Sequence, residues 1–197
     1  MIDPDLLLSY GATYRKVALG EVIFSEGQVC SYYYQVRSGQ VRWANLDEQG
    51  KECIHFLAEE GESFGEFPLF DDQPYAASAI ADSDSVLIRL AKPSFLELLK
   101  AHPDILFKFT AMFTRRFRFK YSLLKSFGSN CPETRIKYLL NYLKSERKSF
   151  CNDCDKLKLT RQQIADMTGL RVETVIRSIK SLEKKGELMI VNRKVYR

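Results

Sequence analysis

The stretch from Leu159 to Gly186 constrains this chain more than any other part of it. Thr160 is of a helix N-cap type, and Ile164, Ala165 and Met167 give a short first helix one apolar side. Gly169 then supplies a tight turn, since glycine takes a left-handed backbone conformation at little steric cost. In the second helix Val175, Ile179 and Leu182 recur at spacings of four and three, an inward stripe. Arg171, Glu173, Arg177 and Lys180 fall on the opposite side. Gly186 ends that helix, and Glu187 to Val191 followed by Asn192-Arg193-Lys194-Val195 predicts a small β-wing. Two amphipathic helices with a merely solvated charged face would share part of this pattern. The order of short helix, glycine turn, basic second helix and wing favours a winged helix-turn-helix.

Charge supports that reading. The chain carries 30 Lys and Arg against 25 Asp and Glu, too mild an excess to mean much by itself. Split at residue 130, it separates: residues 131–197 hold 16 basic against 8 acidic side chains, and residues 1–130 hold 14 against 17. A basic small domain on an acidic larger one suits a module for double-stranded DNA. Phosphate neutralisation would then supply most of the affinity, which should fall steeply with salt.

At 197 residues with 45% hydrophobic content, one or two domains with real cores are expected. No apolar run reaches the roughly 18 residues that span a bilayer, and the N-terminus lacks a secretory pattern, so no membrane is expected. Five cysteines, an odd number, argue against a disulfide framework and for a reducing cytoplasm. Residues 18–92 read as all-β, with runs at Glu21–Phe24, Tyr32–Val36, Gln40–Ala44, Cys53–Leu57 and Ser85–Leu90. Gly20, Gly27, Gly39, Gly50 and Gly61 punctuate them at roughly ten-residue intervals, which predicts a jelly-roll or similar barrel. Pro103 to about Phe127 reads as one long helix with Ile105, Phe109, Met112, Phe113, Phe117, Leu124 and Phe127 as apolar members. Gly128-Ser-Asn-Cys-Pro132 breaks it as a hinge. A helix near Glu133–Ser145 follows, with Ile136, Leu139, Leu140 and Leu143 facing inward.

A glycine-punctuated β-roll, a long apolar helix, a hinge and a winged helix resemble the cyclic AMP receptor protein and fumarate-nitrate regulator (Crp/Fnr) family over nearly the whole chain. Ser63-Phe-Gly-Glu-Phe-Pro-Leu-Phe70 looks like its effector-pocket signature. Leu159-Thr-Arg-Gln-Gln-Ile-Ala165 and Val172-Glu-Thr-Val-Ile-Arg177 look like its two DNA-binding helices. The resemblance implies an α+β chain with a cyclic-nucleotide-binding-like β-roll at 1–102, a dimerisation helix and hinge at 103–130, and a winged helix-turn-helix at 131–197. It implies a homodimer that places two recognition helices one DNA turn apart, roughly 34–36 Å. In the alternative, the helix's aromatic stripe only covers its own β-roll. Arg115, Arg116, Arg118 and Lys120 are expected on the solvated flanks of that helix. The implied partners are double-stranded DNA, with RNA polymerase and an unidentified small-molecule effector beside it.

Glu173 and Arg177 match the family's base-reading pair. A guanidinium forks onto O6 and N7 of guanine, and a carboxylate accepts from N4 of cytosine, so together they read a G·C pair. Val172 stands where cyclic AMP receptor proteins carry Arg, which favours a TTGAT-like half-site with a GA core over TGTGA. Ile176 exceeds the family's small residue and reaches a thymine methyl or simply packs. Arg161, Arg171, Lys180, Arg193 and Lys194 are expected on phosphates, which position a protein without reading sequence.

In the effector pocket, Gly65 and Glu66 match the pair that holds the ribose. Aligning Pro74-Tyr-Ala-Ala77 with the family pattern puts Tyr75 where an Arg takes the cyclic phosphate, and a phenol supplies no countercharge. Lys120 and Tyr121 replace the Thr-Ser pair that meets adenine, leaving Lys120 as a contact for some other anion. Cyclic AMP control is therefore not expected. Neither is a cofactor or metal: Cys151 and Cys154 have zinc spacing without a second pair, and no cysteine precedes Cys30. Enzyme chemistry on a cupin-like roll would need clustered histidines, and His55 and His102 stand apart. A nucleotide-binding-like module acting through protein partners is the other reading; the Glu173/Arg177 pair argues against it.

Overall fold

The computed structural model describes residues 2–128, 131–151 and 154–197. Asp3 caps α1 (Pro4–Ser9), its carboxylate accepting from the backbone N–H of Asp5 and Leu6. Eight strands follow: β1 (Thr13–Val17), β2 (Val22–Phe24), β3 (Tyr32–Ser38), β4 (Val41–Leu46), β5 (Glu52–Ala58), β6 (Ser63–Phe64), β7 (Ser78–Ala81) and β8 (Ser85–Ala91). They build two antiparallel four-stranded sheets, in the orders β1-β8-β3-β6 and β2-β7-β4-β5. This is the expected β-roll. It begins before residue 18, because β1 is an edge strand with Val17 as its one buried residue and so carries little apolar signal.

β3 is buried on both faces, and its period of two sorts the tyrosines. Tyr33 stacks on Phe95 at 4.7 Å and meets Phe109 edge-on. Tyr34 faces the other way, stacked on Phe64 at 5.6 Å and tilted against Phe24 at 5.8 Å. Each such ring contributes roughly 1.5–3 kcal/mol through burial. Phe95 belongs to α3 (Lys92–Ala101), a helix between roll and long helix that the apolar pattern did not announce. Only Phe95, Leu98 and Leu99 bury there, too few for a clear helical period. The short α2 (Phe67–Asp71) forms the second half of the pocket signature.

The long helix, α4 (Pro103–Phe127), runs over 25 residues. Its apolar residues do not share one stripe. Ile105, Phe109, Met112, Phe119 and Leu123 are buried, whereas Leu106, Phe117, Tyr121, Leu124 and Phe127 are exposed. The chain forms two compact units, Met1–Met112 and Phe113–Arg197.

In the second unit, α5 (Pro132–Ser145) turns Ile136, Leu139, Leu140 and Leu143 into the core, as their spacing requires. They meet α6 (Arg161–Thr168) and α7 (Val172–Lys184), whose Ile164, Val175, Ile179 and Leu182 are all but fully buried. The strands β9 (Met189–Val191) and β10 (Lys194–Tyr196) form an antiparallel wing. A bridge from Lys156 to Tyr196 ties the preceding loop to it. Of the expected hinge, Ser129 and Asn130 lie outside the described residues, as do Asn152 and Asp153 between Cys151 and Cys154. Among the described residues no helix is long and apolar enough to cross a membrane, and no cluster of potential metal ligands occurs.

Candidate nucleic-acid interface and sensor pocket

The first helix of the motif is fixed at both ends. Thr160 Oγ1 accepts from the Gln163 N–H at 3.1 Å while Gln163 Oε1 accepts from the Thr160 N–H at 2.9 Å, a reciprocal capping box. Gly169 closes α6 at φ 67°, the left-handed turn its position predicts. α7 then starts at Val172 and presents a divided surface. Val175, Ser178, Ile179 and Leu182 are buried, Val172 is half-buried, and Arg171, Glu173, Ile176, Arg177 and Lys180 are exposed. Glu173 and Arg177 are four residues apart, hence one turn apart on the same face. Among the described residues neither is held in an ion pair, so both heads are available.

Beside this helix stands the wing. Asn192 and Arg193 both have positive φ, 48° and 63°, the pattern of a two-residue hairpin turn whose twist matches its strands. Glu183 of α7 accepts from the Ile190 N–H at 3.2 Å and anchors the wing. Arg193 and Lys194 project from its tip into solvent. Together with Lys156, Lys158, Thr160 and Arg161 they line a cavity of about 300 Å³. Five cations and no acid surround it, and the first N–H groups of α6 lie at its edge. Burial holds the half-buried Arg161 guanidinium below its usual pKa, though it remains a cation. Lys156 and Lys158 were not among the expected contacts; their alternation with Leu157 and Leu159 was the available signal.

In the first unit, Gly65, Glu66 and Tyr75 lie together among closely packed side chains. Tyr75 is 4% exposed and lies flat on Phe24, ring centres 3.6 Å apart and planes 8° from parallel. Its hydroxyl donates to Cys30 Sγ at 3.1 Å, and that thiol donates to the Tyr32 carbonyl at 3.4 Å. Backbone bonds from Gly27 to Tyr75 and from Tyr75 to Gln28 clamp the segment. Gly65 sits at φ 69°, and a Cβ there would lie 2.4 Å from Phe24. Glu66 is 2% exposed and accepts from the Ser63 hydroxyl at 2.6 Å. Burial, then the bond to Cys30, pushes the Tyr75 phenol far above its ordinary pKa. Lys120 and Tyr121 belong to the second unit, where Lys120 is half-buried near the Phe119 ring and Tyr121 is exposed.

Two family models match this chain: a cyclic nucleotide-binding domain over residues 14–102 and a Crp-like helix-turn-helix domain over residues 134–196. The cAMP-activated global transcriptional regulator CRP of Pasteurella multocida is 30% identical over 92% of this chain and 88% of its own. The chain belongs to the Crp/Fnr family of transcription regulators. The cyclic AMP receptor protein of Thermus thermophilus is likewise 30% identical, over 93% of this chain and 82% of its own. A structure of the c-di-GMP-responsive global regulator CLP of Xanthomonas campestris superposes with a TM-score of 0.75, covering 98% and 96% of the two chains at 20% identity. That likeness shows the Crp/Fnr fold.

As a Crp/Fnr protein the chain is a DNA-binding transcription regulator and not an enzyme. The seven positions expected at its DNA face, Arg161, Arg171, Val172, Glu173, Ile176, Arg177 and Lys180, all lie on α6, α7 or the turn between them. Five of them are exposed, and Arg161 and Val172 are half-buried.

Proposed function

We propose that this Crp/Fnr regulator binds a palindromic operator as a homodimer and does so without cyclic AMP. Glu173 and Arg177 read a G·C pair in each half-site from the major groove, within a TTGAT-like sequence; Ile176 packs against a thymine methyl and Val172 takes no guanine. Arg161, Arg171, Lys180, Arg193 and Lys194, joined by Lys156 and Lys158, hold phosphates on the flank. Dimerisation runs along the exposed stripe of α4, where Leu106, Phe117, Tyr121 and Leu124 recur at helical spacing. The working division is a β-roll at 1–102, a dimerisation helix and hinge at 103–130, and a DNA-binding domain at 131–197. Five cysteines outside any disulfide support action in the cytoplasm, where RNA polymerase is the partner such a regulator recruits or excludes.

Tyr75 carries the cyclic AMP part of this reading. A buried phenol stacked at 3.6 Å on Phe24 stands at the position where the family resemblance calls for a phosphate-binding guanidinium, and a phenol supplies no countercharge. The deciding experiment is fluorescence anisotropy on a palindrome of two TTGAT-like half-sites against a scrambled duplex, with and without cyclic AMP. Selective binding unchanged by the nucleotide is the expected result. Binding that appears only with cyclic AMP would overturn the pocket assignment, and equal affinity for both duplexes would overturn the half-site.

A further inference from the structure

Within the second unit, α4 and α5 enclose a groove of about 500 Å³. Its floor is aromatic: Phe119 and Tyr142 stack face to face with ring centres 4.0 Å apart and planes 9° from parallel. Tyr138, one turn before Tyr142, extends it. Above the floor stand two guanidiniums, of which one is neutralised: Arg115 pairs with Glu146 at 3.3 Å. Arg118 borders the same groove, as does Asn141. Among the described residues neither the Arg118 guanidinium nor the Asn141 carboxamide has a partner.

One uncompensated cation and one free amide over an aromatic floor is a recognition pattern with a definite chemistry. Small-ligand sites are typically a few hundred Å³, mostly apolar, with a few placed polar groups. The planar fork of Arg118 matches a carboxylate in bidentate fashion. Rings prefer offset or edge contact with other rings, which the half-buried Tyr138 and Tyr142 offer. We propose that this groove binds a small aromatic carboxylate.

Position gives the site its consequence. At 100° per residue, Arg115 and Phe119 lie on the side of α4 away from Phe117, Tyr121 and Leu124, and Arg118 stands between that side and the exposed stripe. α5 turns its other side, Ile136, Leu139, Leu140 and Leu143, toward α6 and α7. A ligand in the groove bears on α5, the helix that packs against the two DNA-reading helices. Only this regulatory consequence rests on the proposed operator binding; the binding itself does not.

The test is ¹⁹F NMR titration of 4-fluorobenzoate with the full chain. One saturable site per chain is expected. Arg118→Ala should weaken it at least tenfold, and Arg118→Lys should retain part of the affinity. The neutral 4-fluorobenzyl alcohol should bind at least tenfold more weakly than the acid. Lys100→Ala, on α3, serves as control and should bind like the parent, and circular dichroism melting verifies that each variant is folded. No saturation at millimolar ligand, or equal binding by a folded Arg118→Ala chain, overturns the proposal. Repeating the operator titration with 4-fluorobenzoate separates the two readings: saturable ligand binding in a chain that ignores the operator would overturn the half-site and leave this site standing.

Discussion

Arg135 holds its guanidinium 4.1 Å above the centre of the Phe127 ring and donates to the Thr168 carbonyl at 3.4 Å. Phe127 closes α4, Arg135 lies in the first turn of α5, and Thr168 ends α6, so one side chain ties three helices at the motif's turn. A cation over a ring contributes about 0.5–2 kcal/mol according to how dry the site is. Arg135→Ala should lower the unfolding free energy by about 1 kcal/mol in urea titration, and Arg135→Lys should recover only part of it, since ammonium lacks the planar fork.

Two glycines separate strain from collision. Both Gly65 and Gly169 have positive φ, but the Cβ of an alanine would meet Phe24 at 2.4 Å in the first case and nothing nearer than 4.0 Å in the second. Gly169→Ala should cost about 1–2 kcal/mol, the left-handed penalty alone. Gly65→Ala should cost clearly more, because overpacking adds roughly 1–3 kcal/mol. Thermal melts of the two variants check the order.

Burial raises the phenols of Tyr75 and Tyr34 above their ordinary pKa of about 10. Below that pH both folded and unfolded chains keep these protons, and the rings add no pH dependence. Above it the unfolded chain releases them and the folded chain does not. Their contribution to stability is therefore intact below pH of about 10 and is lost as pH climbs toward the folded-state values. Absorbance at 295 nm should show at least two tyrosines that ionise later than the exposed ones. Ionisation of every tyrosine near pH 10 in the native protein would contradict the buried stack.

Arg177→Ala should cost about 1–3 kcal/mol on the matched operator and relax selectivity at one base pair of each half-site. Lys194→Ala should weaken matched and scrambled duplexes alike and flatten the salt dependence by about one counterion. Anisotropy titrations at several salt concentrations distinguish the two behaviours.

Phe117 is 72% exposed in the single chain, a poor place for a phenyl ring unless a second helix covers it. Phe117→Glu should shift sedimentation toward the monomer while leaving the helical circular dichroism unchanged, and operator affinity should fall with the lost second half-site.

The second unit was largely legible from the chain alone. Ile136, Leu139, Leu140 and Leu143, like Val175, Ile179 and Leu182, carry the helical period undisturbed, and Gly169 marks the turn between them. α3 escaped notice because three buried residues in ten make little pattern. The pocket was half legible: the identity of Tyr75 showed that a guanidinium was missing, but its partner Phe24 is some fifty residues away, and a stack of that separation leaves no local trace. The α4–α5 groove was invisible for a similar reason. Arg118 and Lys120 look alike as solvated charges until Phe119 is seen against Tyr142.

On the reading proposed above, the stacked phenol of Tyr75 takes the place of a signal molecule's partner, and that changes what the β-roll is able to report. A group that is a residue of its own host has no dissociation constant that a cell could exploit. It arrives with translation, is present at one equivalent in every molecule, and leaves only by mutation or unfolding. On that reading, responsiveness to cyclic AMP is gone, and control enters through how many copies are made or through some other surface of the protein.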